Sequence, residues 1–352
     1  SRKAIRRSEI VVDNTRDSKR PTSRIPADAQ PNPEETGSVG IDRQIEKLEI
    51  RRSLKELQRS AGNLMGQRVR GVTEKLLTRT LSGVVYAAIV LAALFVGKEA
   101  TIVLIAGMAW LCCSEFFHIC RMGGRMPNEP LGLVFSLIFP IIAYFGHVFP
   151  LVFSLLLIIL CGLWYVFTPR ANLADVAVTA FGPLYTSLSL STVVLLRSTE
   201  PSFSIPWITL AVMLSVWAND SFAYLFGSKF GKHKLAPRIS PNKSWEGFYG
   251  GLLGSMLVWF LMAVFGAINM NPLFALLFGI TEGIFSVVGD LFESRIKRGV
   301  GLKDSGSIMP GHGGLLDRTD SMIFGTMAAF LLFQLAVLFS QVKLPIALPF
   351  GA

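Results

Sequence analysis

Charged residues are scarce in this chain of 352 residues. Asp, Glu, Lys and Arg make up 16% of it, whereas hydrophobic residues make up 51%. Soluble domains carry about 25% charged residues, so this composition excludes an ordinary soluble globular protein. The sequence therefore predicts a membrane protein.

Cysteine and histidine are also few, with four residues of each. The cysteines lie in or beside apolar segments, and none has the spacing of a metal-binding pair. An HExxH pattern is absent from the sequence. A zinc site therefore has little support. We interpret the cysteines as small apolar side chains in packed helices.

Basic residues are concentrated before residue 80, where 18 Lys or Arg accompany 11 Asp or Glu. Residues 1–40 have almost no aromatic side chains and cannot bury enough apolar surface to fold, which predicts a disordered basic tail. In residues 41–79, apolar residues recur near helical spacing, which predicts an amphipathic cytosolic helical segment. A surface helix on anionic lipid remains open for that segment. A cleavable signal peptide is not expected, because an apolar h-region does not follow the first basic residues.

Nine apolar runs follow, each about as long as a helix that crosses ~30 Å of hydrocarbon. We predict an all-α polytopic membrane protein, with N-terminal transmembrane helices in residues 80–200 and a catalytic transmembrane region in residues 201–352. Lys and Arg are concentrated in alternate loops, which places the N-terminus in the cytoplasm. We expect a bacterial inner membrane, and an organelle membrane remains open. The predicted spans are 80–97, 100–118, 131–148, 149–168, 174–196, 205–227, 247–267, 272–292 and 321–341.

Acidic side chains inside these spans are functional candidates by default, because a charge in a membrane is costly unless it faces protein, water or a partner. Glu115 lies near the end of a span, and we interpret it as reaching the membrane interface. Glu282 lies deeper, and two hypotheses stay open for it: pairing with a cation, or lining a site.

Asp220 and Asp290 differ from these, because each ends a span that leads into a strongly basic loop, residues 228–246 and 293–320 respectively. Mg²⁺ binds one or two carboxylates together with substrate phosphates, and Lys and Arg neutralise the remaining phosphate charge. Glycines in the second loop would let backbone amides approach phosphates closely. The pattern predicts a metal and polyphosphate site at the membrane surface, with one water-soluble and one lipid substrate.

The second loop carries a long pattern, S-x-I-K-R-x4-K-D-x-G-x3-P-x-H-G-G-L-x-D-R-T-D, from Ser294 to Asp320. This pattern resembles the signature of phosphatidate cytidylyltransferases, also called CDP-diacylglycerol synthases. Met309 departs mildly, since the family usually has Leu, Ile or Phe there. The first loop is independently similar to a second patterned region of the family, through Asp220, Gly227, Gly231, Leu235, Ser240, Pro241, Lys243, Trp245, Glu246 and Gly247.

The resemblance covers roughly residues 80–341 and implies a polytopic helical enzyme with its active site on the cytosolic side. It implies that CTP condenses with phosphatidic acid to give CDP-diacylglycerol and pyrophosphate. Mg²⁺ is the implied cofactor, with a second cation such as K⁺. A homodimer in the lipid bilayer is also implied, and we expect no nucleic acid partner.

The resemblance also implies site residues. Asp290 and Asp317 match the metal-binding carboxylates of the family, and Asp220 and Asp320 are further candidate ligands. Helix N-capping remains an alternative for Asp317 and Asp320. The predicted catalytic residues are Asp290, Asp317, Lys303, Asp304 and His312.

For Asp304 we consider orientation of Lys303 or binding of a second metal, and for His312 proton transfer, donation to a phosphate or a loop-locking hydrogen bond. Ordinary positive-inside anchoring remains an alternative for the basic residues of the second loop, Lys297, Arg298, Lys303 and Arg318. The predicted substrate-binding residues are Lys297, Arg298, Arg318, Ser240, Lys243, Glu246, Gly313 and Gly314.

Two rival functions share parts of this pattern. A secondary transporter of an anionic solute would also have intramembrane acids and basic loops, but it has no reason to concentrate them in one loop. A CTP-dependent lipid kinase is the nearer alternative. It would transfer the γ-phosphate and release CDP, whereas cytidylyl transfer releases pyrophosphate.

Overall fold

The computed structural model describes residues 50, 53–54, 81–201, 205–308 and 313–341, with side chains described as far as residue 338. The chain divides into two units, Ser1–Gly71 and Val72–Ala352. In the first unit, residues 50, 53 and 54 are helical and exposed. The predicted tail and the rest of the predicted amphipathic segment lie outside the described residues.

The described part of the second unit is nearly all helical. A π-helical turn, Leu184–Leu188, follows Pro183 and joins α5 to α6. The helices are α1 (Leu81–Val96), α2 (Lys98–Met122), α3 (Glu129–Ala143), α4 (Val148–Phe167), α5 (Leu173–Pro183), α6 (Ser189–Thr199), α7 (Trp207–Phe230), α8 (Trp245–Val264), α9 (Pro272–Gly299) and α10 (Leu316–Gln341).

Seven helical stretches in the described ranges are long and apolar enough to cross a membrane. They are α2, α4, the joined α5 and α6, α7, α8, α9, and α10 as far as Leu338. The helices α1 and α3 are apolar but shorter. The prediction of a polytopic helical membrane protein is therefore confirmed, and the total of nine spans stays a prediction. The four cysteines are free thiols, and Cys112, Cys113 and Cys161 are buried among the helices, as predicted.

The expectation of a purely α-helical chain is wrong in one place, the first basic loop. There, β1 (Lys234–Ala236) and β2 (Ser240–Ser244) form an antiparallel hairpin that pairs Lys234 with Ser244. Prolines at positions 237 and 241 prevent a helix through this segment. The Ser244 side chain then accepts a hydrogen bond from Gly247 N (3.1 Å) and caps α8.

Close helix packing is set by glycines that face neighbouring helices. On α8, a Cβ at Gly250 would lie 2.5 Å from Phe226 Cβ of α7. On α9, a Cβ at Gly289 would lie 2.4 Å from the Asp320 carbonyl oxygen of α10. Small residues allow such approach of helix backbones in membranes. The contact at Gly289 brings Asp290 and Asp320 to neighbouring positions on two helices.

Candidate active site

A cavity of about 610 Å³ lies where α7 ends, α9 ends and α10 begins, beside the hairpin. The two basic loops therefore meet at one end of the helix bundle. Apolar residues such as Tyr224, Phe248 and Val287 form part of its wall. The charged residues that line it are Asp220, Lys243, Asp290, Lys297, Asp304, Asp317, Arg318 and Asp320.

Asp290 joins α9 to the hairpin. Its Oδ2 lies 2.7 Å from Lys243 Nζ, and its Oδ1 accepts a hydrogen bond from Ser294 Oγ at 3.2 Å. Both partners of the ion pair are partly exposed to the cavity. The ion pair brings together one predicted metal ligand and one predicted substrate-binding residue from the two loops.

Asp220 and Asp320 lie on either side of Ser321. The Ser321 hydroxyl donates to Asp220 Oδ1 (3.2 Å), and the Ser321 N–H donates to Asp320 Oδ1 (2.7 Å). Within the described ranges, neither carboxylate has an ion-pair partner within 4.0 Å. Both carboxylates are also close enough to Asp290 to repel it electrostatically. A cation placed between these carboxylates would relieve the repulsion.

Asp317 has a different environment. Its Oδ1 forms an ion pair with Lys297, and its Oδ2 accepts hydrogen bonds from Ser305 N (2.9 Å) and Gly314 N (2.8 Å). Lys297 also pairs with Glu293 Oε2 at 2.5 Å, and the Glu293 side chain is fully buried. Asp317 is thus held by a lysine and two backbone amides.

Glu293 is absent from the predicted site. The predicted span ended at residue 292, so this acidic residue was assigned to the polar loop. In the structure α9 continues to Gly299, and Glu293 is one of its buried residues. The signal that could have identified it is its position four residues before Lys297, since such pairs face each other on a helix.

Several predicted residues lie around the cavity and support its loops. Glu246 Oε1 lies 2.6 Å from His233 Nδ1 and also accepts a bond from the His233 N–H (3.2 Å), within the hairpin region. Arg298 donates to the carbonyl oxygens of Ile239 (3.4 Å) and Leu302 (2.8 Å). The bond from Arg298 to Ile239 links the hairpin to the end of α9.

The remaining predicted residues lie in the hairpin and in the second loop. Ser240 pairs with Ala236 in the hairpin. Lys303 is exposed, and Gly313 has a φ of 85°, a left-handed conformation that favours glycine. His312 lies outside the described residues.

The two acidic residues of uncertain role are both buried. Glu282 is fully buried and accepts a hydrogen bond from Trp259 Nε1 at 2.5 Å, away from the residues that line the cavity. Glu115 retains only 5% of its exposure and binds the loop before α10. The interpretation that Glu115 reaches the membrane interface is therefore wrong. Its side chain is buried against a segment about 200 residues later in the chain, which supplies its hydrogen-bond donors.

The sequence model of the cytidylyltransferase family matches residues 77–336, which include all of the cavity. The chain belongs to the cytidylyltransferase family.

Individual relatives of this cytidylyltransferase family member are similar over a shorter segment. Proteins named phosphatidate cytidylyltransferase from Staphylococcus epidermidis and Staphylococcus haemolyticus are each 53% identical over 115 residues. One from Staphylococcus aureus is 52% identical over the same length. The aligned segment covers 33% of this chain and 44% of each relative, so less than half of the relatives' length is matched.

The oxygen donors in the cavity fit a hard cation such as Mg²⁺. In the part of the chain that the structure describes, three or more His, Cys, Asp or Glu side chains do not come together in a preformed metal site. Mg²⁺ bound to a nucleotide uses only one or two carboxylates and takes its other ligands from phosphates and water. Asp220, Asp290 and Asp320 fit that smaller requirement, because all three line one cavity and only Asp290 is paired with a lysine there.

Proposed function

We propose that this protein is a phosphatidate cytidylyltransferase, a nucleotidyltransferase that condenses CTP with phosphatidic acid to give CDP-diacylglycerol and pyrophosphate. The observation that carries the proposal is the mixed charge of the cavity, which places carboxylates and cations beside apolar walls at the end of a membrane helix bundle. Family membership and the names of the relatives support the same reaction.

The reaction forms one P–O bond and breaks another. A phosphate oxygen of phosphatidic acid attacks the α-phosphorus of CTP, and the bond from that phosphorus to the bridging oxygen of the β-phosphate breaks, releasing pyrophosphate. A covalent enzyme intermediate is not needed, so the protein contributes positioning and charge neutralisation. In this proposal Lys243, Lys297 and Arg318 balance the phosphate charges, since each lines the cavity.

Two cations are part of the proposal. Mg²⁺ would be held by Asp290 with Asp220 or Asp320, and a second cation such as K⁺ by the remaining carboxylates. When bound, such ions would neutralise phosphate oxygens. Asp317 stays a predicted ligand, through the carboxylate lone pairs that its contacts with Lys297 and two backbone amides leave free.

We further propose that the cavity opens to the cytoplasm of a bacterium whose inner membrane holds the protein, and that the protein is a homodimer. The basic loops support this orientation through the positive-inside rule. Cysteine labelling from either side of oriented vesicles tests the orientation. Crosslinking in native membranes tests the dimer.

The deciding experiment supplies the purified protein with vesicles that contain phosphatidic acid and diacylglycerol, with Mg²⁺, and with CTP labelled at either the α- or the γ-phosphorus. Cytidylyl transfer moves α-label into lipid and γ-label into pyrophosphate. A lipid kinase would instead move γ-label into lipid and release CDP. If neither label enters the lipid and proteoliposomes take up an anionic solute, the result would favour the transporter.

A further inference from the structure

Glu115 is a buried carboxylate on α2 that contacts the second loop at three points. Its Oε2 accepts hydrogen bonds from Ser305 Oγ (2.7 Å) and Leu316 N (2.8 Å), and its Oε1 accepts one from Leu315 N (3.0 Å). Among the described residues, Glu115 has no ion-pair partner. Hydrogen-bond donors of the loop and of the start of α10 therefore provide the compensation for burying its charge.

The position of these donors makes the compensation effective. Leu316 is the first residue of α10, and the first N–H groups of a helix have no partners within the helix. The positive end of the helix dipole also stabilises a carboxylate placed there. Glu115 thus fixes the start of α10 against α2, although the two helices are far apart in the sequence.

The same contacts hold Asp317, the second residue of α10. Ser305 uses its hydroxyl to bind Glu115 and its N–H to bind Asp317 Oδ2. Gly314 N donates to the same Asp317 oxygen. Glu115, Ser305 and Asp317 therefore form one connected set of hydrogen bonds, in which Glu115 is the partner that comes from outside the loop.

Two glycines of the loop are shaped to this carboxylate. A Cβ at Gly314 would lie 2.3 Å from Glu115 Oε2 and 2.0 Å from Ser305 Oγ, and a Cβ at Gly306 would lie 2.7 Å from Glu115 Oε1. A real Cβ cannot occupy either position without displacing the carboxylate. Close approach to Glu115 explains both glycines without any contact to phosphate.

We propose that Glu115 is a positioning residue for the proposed cytidylyl transfer. It acts through Ser305 and the N-terminus of α10 to place Asp317 and Asp304 at the cavity, and it does not contact substrate. The proposal rests on the proposed function for its kinetic consequences. The order of the loop that it predicts does not depend on the reaction.

The main test is Glu115→Gln, which keeps the shape and removes the charge. Each carboxylate oxygen accepts a backbone N–H, so the amide NH₂ must face a backbone donor in either orientation. A displacement of about 1 Å in the loop can lower a rate on the order of a hundredfold. We expect kcat to fall by about ten- to a hundredfold, with a smaller change in KM for CTP. Glu99→Gln, an exposed position on the same helix, is the matched control and should be silent.

A double-mutant cycle separates positioning from a general loss of structure. Ser305→Ala removes the hydroxyl that links the loop to Glu115, and it should lower kcat in the same direction. Because the Ser305 hydroxyl acts through its contact with Glu115, Ser305→Ala should have little further effect in the Glu115→Gln protein. Additive effects on kcat would contradict the proposal.

The order of the loop can also be measured without the reaction. A lysine-specific protease is added to the protein in detergent, and mass spectrometry follows the rate of cleavage after the exposed Lys303. Glu115→Gln should increase the cleavage rate several-fold over the wild type, and Glu99→Gln should not. If the wild type transfers no cytidylyl group, the proposed function fails and the cleavage rates alone decide the positioning role. Unchanged cleavage in Glu115→Gln would overturn the proposal, whatever the effect on kcat.

Discussion

Lys297 lies between two carboxylates, and its replacement should separate stability from activity. Its side chain is 8% exposed, Glu293 is fully buried, and Lys297 is the one cation within ion-pair distance of Glu293 among the described residues. Lys297→Met keeps most of the length of the side chain and removes the ion-pair partner of the buried Glu293. Removing one partner of a buried ion pair costs about 3–5 kcal/mol, so we expect a loss of that size in the free energy of unfolding.

Asp317 contributes less to this loss, because it keeps its two backbone hydrogen bonds. Adding Glu293→Leu to Lys297→Met removes the unpaired charge. Replacing both members of a buried pair by apolar residues is often neutral, so the double variant should recover stability to within about 1 kcal/mol of the wild type. Cytidylyl transfer should stay low in both variants, because Asp317 has lost the side chain that holds its Oδ1.

The free energy of unfolding is measured by circular dichroism while sodium dodecyl sulfate is titrated into mixed micelles. Turnover is measured in the same preparations with α-labelled CTP. A Lys297→Met protein as stable as the wild type would refute the reasoning. So would a double variant no more stable than the single one.

Three further predictions concern the cavity. Asp290→Asn should lower turnover by several orders of magnitude without loss of insertion, since it removes a proposed Mg²⁺ ligand; turnover near that of the wild type contradicts the assignment. Gly289→Ala should lower turnover at least about tenfold, because its Cβ would lie 2.4 Å from the Asp320 carbonyl oxygen, and helical content by circular dichroism checks that folding is kept. Lys303→Arg should lose most turnover, whereas Lys229→Arg should be nearly silent, because a planar guanidinium misplaces a phosphate; equal turnover favours simple anchoring.

The helices could be predicted from the sequence because each apolar run is long enough to need a membrane or a core. The hairpin could not, since Lys234–Ala236 and Ser240–Ser244 lack an alternating apolar pattern. Their pairing depends on the fixed ends of α7 and α8. The length of α9 was also underestimated, because Lys297 and Asp317 allow the helix to bury an acidic residue beyond the apolar run.

The candidate site could also be predicted only in part. The four predicted carboxylates, Asp220, Asp290, Asp317 and Asp320, line one cavity, whereas the predicted basic residues Arg298 and Lys303 are not among its lining residues. The sequence could not show which of them pair with lysine, because pairing depends on helix rotation and on distances between segments. Glu115 is the clearest case: its three donors are identified only once α2 and α10 are packed together.

The hairpin has a consequence for access to the cavity. Lys243 forms the ion pair with Asp290, and the next residue, Ser244, caps α8. Because the two contacts lie on adjacent residues at the end of β2, an outward movement of this part of the strand would strain both of them. A partly exposed ion pair contributes at most about 1 kcal/mol and a helix cap about 1 kcal/mol, so this arrangement of the strand should outnumber one with both contacts broken by up to roughly thirtyfold. A phosphate that competes with Asp290 for Lys243 would lower that ratio and loosen this wall of the cavity.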